Sequence, residues 1–166
     1  MPLIRPVALF LTSFFVLSAS AAGRVEVRVA DDRQFVDVGG SPSERAANLA
    51  VLVRHFESLG ARLPDGRTLS IDVLDVDLAG HLKPVRGGPD RLRVVEGGVD
   101  GPVLQLRYEL RSADRTLASG TESLSDPSFL VGHEGEVRRE PLARERRLID
   151  TWFARRFATD DASTAP

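Results

Sequence analysis

The hydrophobic periodicity of the chain changes from that of a strand to that of a helix and back again. Residues 24–30 alternate three valines with charged residues, which is the period of a half-buried strand. Residues 104–110 repeat this alternation with leucine and tyrosine, whereas residues 41–60 carry apolar side chains at helical spacing. Strand and helix patterns in one chain predict an α+β fold, in which helices pack on a sheet.

The first helix has a strong start signal in the sequence SPSE at residues 41–44. Ser41 suits the N-cap, Pro42 suits the first helical position, and Glu44 completes a capping box. Gly60 predicts the end of the helix. The apolar residues of its buried face are Leu49, Leu52, Val53, Phe56 and Leu59.

A change of phase marks the strand predicted after the turn at residues 64–66. The alternating apolar residues are Leu69, Ile71 and Val73, and then Leu74, Val76 and Leu78. A shift of one residue moves every later side chain to the other face, so the pattern predicts a β-bulge or a kink near residue 74.

The second half of the chain predicts a hairpin and a final helix. Residues 104–110 and 116–124 form two strands around a turn at residues 113–115, and one short strand is predicted at 92–95. The last helix begins near Pro141 and runs through Phe157. The order β-α-β-(β)-β-β-α predicts an antiparallel sheet with two main helices packed on one face, one after the first strands and one C-terminal.

Two charged residues fall on the apolar face of this last helix. Projected at helical spacing, Glu145 and Arg156 lie beside Ile149. A buried carboxylate is costly unless it is paired or hydrogen-bonded, so we expect Glu145 to bind an arginine or the backbone of the sheet.

Residues 1–21 have the pattern of a cleavable secretory signal peptide. Arg5 supplies the positive charge, residues 7–17 form a short apolar run, and the sequence ASA at 19–21 suits signal peptidase. The run is shorter than the roughly 20 residues that span a bilayer, so no transmembrane anchor is expected. Cleavage would leave about 145 residues, the size of a single domain. We therefore predict one α+β domain at 22–157 and a disordered tail at 158–166.

The absence of cysteine and the balanced charge narrow the classes of protein further. With no cysteine, a lipid anchor at the cleavage site, a thiol nucleophile and a thiolate metal site are excluded. The formal net charge of -2 becomes about -3 when Arg5 leaves with the signal peptide, which argues against a nucleic-acid partner. We predict a periplasmic location, with full secretion as the alternative.

Several stretches together resemble the DUF3016 family of bacterial exported proteins. The resemblance covers nearly all of the predicted domain, and it departs from the family pattern at Pro127 to Leu130 and at Gly101. It implies export but brings no catalytic residue to carry over. The stretches that carry it are FVDV at 35–38, LPDGRTL at 63–69, DVDLAG at 75–80, RVV at 93–95, residues 104–110, LSD at 124–126 and ERRLIDTWF at 145–153.

Asp75, Asp77 and His81, with Asp72 nearby, are the nearest approach to a metal site. Asp75 and Asp77 are two residues apart, so on a regular strand they project from one face and suit a hard cation. The alternative, which we favour, is that they form the solvated face of that strand. The glycine-rich stretches at 87–89 and 97–101 lack the helix start and lysine of a phosphate-binding loop. We therefore predict no catalytic, cofactor-binding or metal-binding residue.

Three functional hypotheses remain from the sequence. The first is a non-enzymatic binding or accessory protein of the bacterial envelope, acting on an envelope protein through the sheet face and the loop at 126–137. In an alternative interpretation, the apolar residues of that loop only pin it to the core. The second hypothesis is a small hydrolase or metal-dependent enzyme that uses the Asp72–His81 region. The third is docking of the C-terminal helix on a membrane through Trp152 and Phe153.

Overall fold

A computed structural model of the chain describes residues 22–87, 91–95, 100–126 and 141–157. The predicted signal peptide, nearly all of the loop at 126–137 and the predicted tail lie outside the described residues. The strands are β1 (Arg24–Val29), β2 (Arg67–Asp77), β3 (His81–Pro84), β4 (Arg91–Val94), β5 (Val103–Ser112) and β6 (Arg115–Ser125). The helices are α1 (Pro42–Ser58) and α2 (Ala143–Phe157), with 3₁₀ turns at Asp32–Gln34 and Leu59–Arg62.

The predicted α+β fold, with one helix after the first strand and one at the C-terminal end, is confirmed. Four strands form a sheet in the order β1-β2-β5-β6, and β3 pairs antiparallel with β4 in a separate small sheet. The larger sheet is mixed rather than wholly antiparallel, because β1 runs parallel to β2. The physical reason is that α1 connects these two strands as a crossover, which returns the chain to the end of the sheet where β1 began.

The start of α1 follows the sequence prediction, and its end differs from it. The backbone N–H of Glu44 donates to the Ser41 hydroxyl (3.1 Å). The Glu44 carboxylate accepts from the N–H of Gly40 (2.8 Å), one residue before the N-cap where a capping box has this bond. The helix ends two residues before Gly60 and continues as a 3₁₀ turn. A side chain at Gly60 would have its Cβ 3.0 Å from the Cα of Arg24, so this glycine lets β1 lie close to the turn.

The bulge predicted in β2 is confirmed. The register of β2 against β5 shifts between Val73 and Asp75, which leaves Leu74 as the extra residue. Buried positions change accordingly from Leu69, Ile71 and Val73 to Val76 and Leu78. Beyond the end of β1, the chain returns to β2 at Asp37, which forms a parallel bridge with Asp77.

One hydrophobic core lies under a single face of the larger sheet. Tyr108 of β5 contacts Trp152 of α2, and Trp152 also contacts Phe56 of α1, so both helices pack on this face. Helix α1 lies nearest β1 and α2 nearest β6. The most deeply buried side chains include Leu52, Phe56, Leu69, Ile71, Leu104, Leu106, Tyr108, Leu110, Ile149 and Phe153.

The predicted hairpin is formed by β5 and β6, and its two-residue turn contains a strained alanine. Ala113 has φ 48°, in the left-handed region that favours glycine. Ala113→Gly is therefore expected to raise the free energy of unfolding by about 0.5–1 kcal/mol. Ala154→Gly, on the exposed side of α2, is the matched control and is expected to lower it by about 1 kcal/mol. Thermal unfolding of both variants checks the opposite signs, and equal destabilisation would contradict the strain.

Candidate binding surface

The face of the larger sheet away from the helices carries a shallow depression of about 500 Å³. We call this side of the sheet the open face, because no described helix covers it. The side chains that line it are polar, and the small hydroxyl side chains of β2 and β6 leave room above the backbone. The side chains that line the depression come from Arg28, Ser70, Asp72, Arg107, Glu109, Ser119 and Thr121.

Strand register explains how these residues come together. Arg28 lies opposite Asp72, Asp72 opposite Arg107, and Arg107 opposite Thr121, so a single row crosses all four strands. The guanidinium of Arg28 is 3.4 Å from the Asp72 carboxylate. This pair is largely exposed and contributes little to stability, and it sets a positive and a negative charge side by side on the open face.

Arg107 is the unusual member of the row. Its side chain is exposed, and it has no hydrogen bond or ion pair with any side chain in the described ranges. The neighbouring carboxylate on the same strand, Glu109, accepts a hydrogen bond from the Thr116 hydroxyl (2.7 Å). A guanidinium on an ordered central strand is therefore available to an acidic group, which it can bind with two parallel hydrogen bonds.

Asp75 has a local structural role. Its Oδ1 accepts hydrogen bonds from the backbone N–H of Val36 and of Val76, both at 2.9 Å. These bonds hold the chain between the first 3₁₀ turn and Asp37 against the end of β2. The carboxylate that the sequence suggested as a metal ligand thus ties two backbone segments together.

Asp77 and His81 face different partners. Asp77 lies beside Asp37, whose carboxylate binds the guanidinium of Arg93 at 2.9 Å. Burial raises the pKa of Asp77, and the nearby charges of Asp37 and Asp75 raise it further. His81 Nδ1 is instead 3.7 Å from a carboxylate oxygen of Asp100. Among the described residues, no three histidine, aspartate or glutamate side chains are arranged to hold a metal ion.

His55 forms a histidine–carboxylate contact that the sequence did not reveal. Its Nε2 is 3.1 Å from the Arg146 carbonyl oxygen and 3.4 Å from Oδ2 of Asp150, so it links α1 to α2. Ser58 is also near, but its hydroxyl donates to the His55 carbonyl (2.6 Å). A catalytic triad needs the carboxylate on one ring nitrogen and the serine on the other, so this arrangement is a helix-to-helix contact.

The stability of this contact depends on pH. Burial lowers the pKa of His55 below 6.5, outweighing the opposite influence of Asp150. The unfolded chain therefore binds the proton of His55 more tightly than the folded chain does. The contribution of neutral His55 to the free energy of unfolding is fully present above about pH 6.5 and is lost as the pH is lowered. We expect His55→Gln to reduce this loss between about pH 7.5 and 5, measured by urea unfolding. His81→Gln is the control and should retain it; an unchanged pH profile in His55→Gln would contradict the assignment.

The two charged residues on the apolar face of α2 both have partners. Glu145 is 3% exposed and accepts a hydrogen bond from the N–H of Ala79, just after β2 (2.9 Å), which confirms the predicted backbone partner. Arg156, by contrast, is exposed and lies at the edge of that face, where its Nε donates to the Tyr108 hydroxyl (2.6 Å). Trp152 and Phe153 are 5% and 1% exposed, so neither aromatic side chain is available to a membrane surface.

Comparison with known proteins places the chain in a family. None of the described helices has the length and hydrophobicity of a membrane-spanning segment. Searches of curated proteins and of solved structures returned no match. The family model "Protein of unknown function (DUF3016)" matches residues 23–155, which is most of the sequence and all of the sheet. The chain therefore belongs to the DUF3016 family.

Proposed function

We propose that this chain is an exported, non-enzymatic binding or accessory protein that acts in the periplasm on a partner in the bacterial envelope. The open face is its binding surface. The single observation that carries this proposal is the exposed Arg107 in the centre of that face, beside a depression lined with hydroxyl groups. Such a cation offers a partner an ordered site for a carboxylate or another acidic group.

The contrast between the apolar and the polar face of the larger sheet supports the same function. The apolar residues of β2 and β5 face the helices, so the fold places its hydrophobic core on one side. The other side is free to vary in its polar side chains without loss of core packing. Arg28 and Asp72 fix a charge pattern there, and a partner with the complementary pattern would gain specificity and a faster association rate.

A charge reversal in the depression tests the binding function. We expect the tagged protein, lacking residues 1–21, to retain a partner from envelope extract, and Arg107→Glu to lose it. Arg54→Glu makes the same change of charge at an exposed position of α1 and should retain the partner. Capture that is equal for the wild type and Arg107→Glu, with circular dichroism confirming that both are folded, would contradict the proposal.

Export is tested separately from binding. Expression of the full chain in a Gram-negative host should give a periplasmic product whose first residue is Ala22, because residues 19–21 suit signal peptidase. Fractionation and N-terminal sequencing measure both. An uncleaved cytoplasmic product would overturn the proposed location but leave the binding measurement unaffected.

A further inference from the structure

Strand β6 is a long edge strand of the larger sheet. It has 11 residues, and in the described part of the chain its only neighbouring strand is β5. In an antiparallel pair, alternate residues direct their N–H and C=O groups away from the partner strand. Such an edge is a template for pairing with another strand unless the sequence protects it.

The two edges of the sheet differ in how they are protected. β1 has only six residues, and its open-face side chains are the charged Arg24, Glu26 and Arg28. β6 has no proline and no lysine, and its charged residues are Glu122 and, at its first position beside the hairpin turn, Arg115. Its open-face side chains include Ser119, Thr121 and Ser123, which are small and uncharged. Short length, charge and bulges are usual protections of an edge strand. The bulge in β6 lies at Leu117, near its start, so among the described residues the stretch from Ala118 to Ser125 is the less protected edge.

We infer that β6 pairs antiparallel with β6 of a second copy of this chain, with the two-fold axis at Thr121. This register keeps open-face residues opposite open-face residues, because Ser119 then lies opposite Ser123 of the second copy. It also places Glu122 opposite a glycine, Gly120 of the second copy, so no like charges meet. Glu122 is already bound by Trp152 Nε1 (3.0 Å) and lies 3.3 Å from Arg156 Nε, so pairing leaves no isolated carboxylate.

The inferred dimer goes beyond the binding function proposed above. Two four-stranded sheets joined at β6 form one sheet of eight strands with a continuous open face. Thr121 lies at the rim of the depression in each copy, so the two depressions flank the axis. A closed two-fold dimer also pairs the β6 edge, so that it is not left to recruit further chains.

Lysines at the edge provide the first test. Analytical ultracentrifugation of the protein without residues 1–21 should give the mass of a dimer. Thr121→Lys combined with Ser123→Lys brings four ammonium groups to the axis and should give a monomer. The matched control, Glu26→Lys combined with Arg28→Lys, puts lysines on the other edge and should remain a dimer. A monomeric wild-type protein would overturn the inference, including the case in which residues 127–140 of the same chain cover β6.

Single cysteines provide the second test, since the chain contains none. Thr121→Cys should form a disulfide-linked dimer under mild oxidation, because the two Cβ atoms face each other across the axis. Arg28→Cys on β1 should stay unlinked. A dimer that persists in the lysine variant, or that forms without cross-linking at Thr121, would also overturn the inference. Because both tests use the isolated protein, their outcome is independent of whether Arg107 binds a partner.

Discussion

Trp152→Ala is expected to lower the free energy of unfolding by about 3–5 kcal/mol, the range for removing a large aromatic side chain from a core. Trp152 of α2 contacts aromatic residues of both helices and of the sheet. Its ring packs edge-on against Phe56 of α1 (6.4 Å between ring centroids), Tyr108 of β5 (5.8 Å) and Phe157 of α2 (5.3 Å). Its removal leaves a cavity and leaves Glu122 without the indole donor.

Urea unfolding measures this loss directly. Thr151→Ala is the matched control, because it changes the neighbouring residue on the exposed side of α2 and should stay within about 0.5 kcal/mol of the wild type. A loss below about 1 kcal/mol for Trp152→Ala would show that α2 does not depend on these contacts. Binding of a partner by Arg107 need not change in the folded fraction of this variant, since Trp152 lies on the other side of the sheet.

Gly80→Ala is expected to lower the free energy of unfolding by about 2–4 kcal/mol. Gly80 connects β2 to β3 with φ 78°, a conformation that costs an alanine about 1 kcal/mol. An added Cβ would also press against the carbonyl of Val94, with the carbonyl carbon only 2.9 Å away. Backbone atoms of β4 cannot yield as a flexible side chain does, so the clash adds to the conformational cost.

Gly87→Ala separates these two costs. Gly87 has a similar φ of 89°, but an added Cβ there would meet no atom of the described residues within 4 Å. We expect Gly87→Ala to lose only about 1 kcal/mol, which is the conformational share. Thermal and urea unfolding of both variants measure the difference. Equal losses would mean that β4 does not lie against Gly80.

The sequence predicted those parts of the fold that depend on local pattern. The capping residues around Ser41, the bulge after Val73 and the hairpin around Ala113 all have short-range signals, and the structure contains all three. Glu145 was also predicted to need a partner, because its burial follows from helical spacing alone. Local pattern therefore predicted most of the helices and strands and the position of the core.

Features that depend on pairing between distant segments were not predictable. Nothing in residues 24–30 shows that β1 runs parallel to β2, because an alternating strand has the same pattern in either direction. Strand β3 lies in a stretch rich in glycine and proline, and its pairing with β4 outweighs that composition. Likewise, His55 and Asp150 are far apart in sequence, and only the packing of α1 on α2 brings them together.

The candidate binding surface also depends on pairing between distant segments, so the sequence alone did not predict it. The spacing of Asp75 and Asp77 suggested a shared cation, but Asp75 binds the backbone N–H of Val36, and Asp77 lies beside Asp37, both from a distant segment. Arg107 gave no signal in the sequence, because an arginine in an alternating strand is ordinary. Its significance comes from the sheet register, which places it between Asp72 and Thr121 on a face that none of the described helices covers.

Site-specific photo-cross-linking in intact cells tests most directly whether the open face is the binding surface. Ser70 lies in the depression on β2, away from the β6 edge, so a photoreactive residue there reports a partner rather than a second copy. Glu57, exposed on α1, serves as the matched position on the helical side. We predict a specific adduct from Ser70 that disappears with Arg107→Glu, and no adduct from Glu57. An adduct from Glu57 alone would contradict the assignment of the open face.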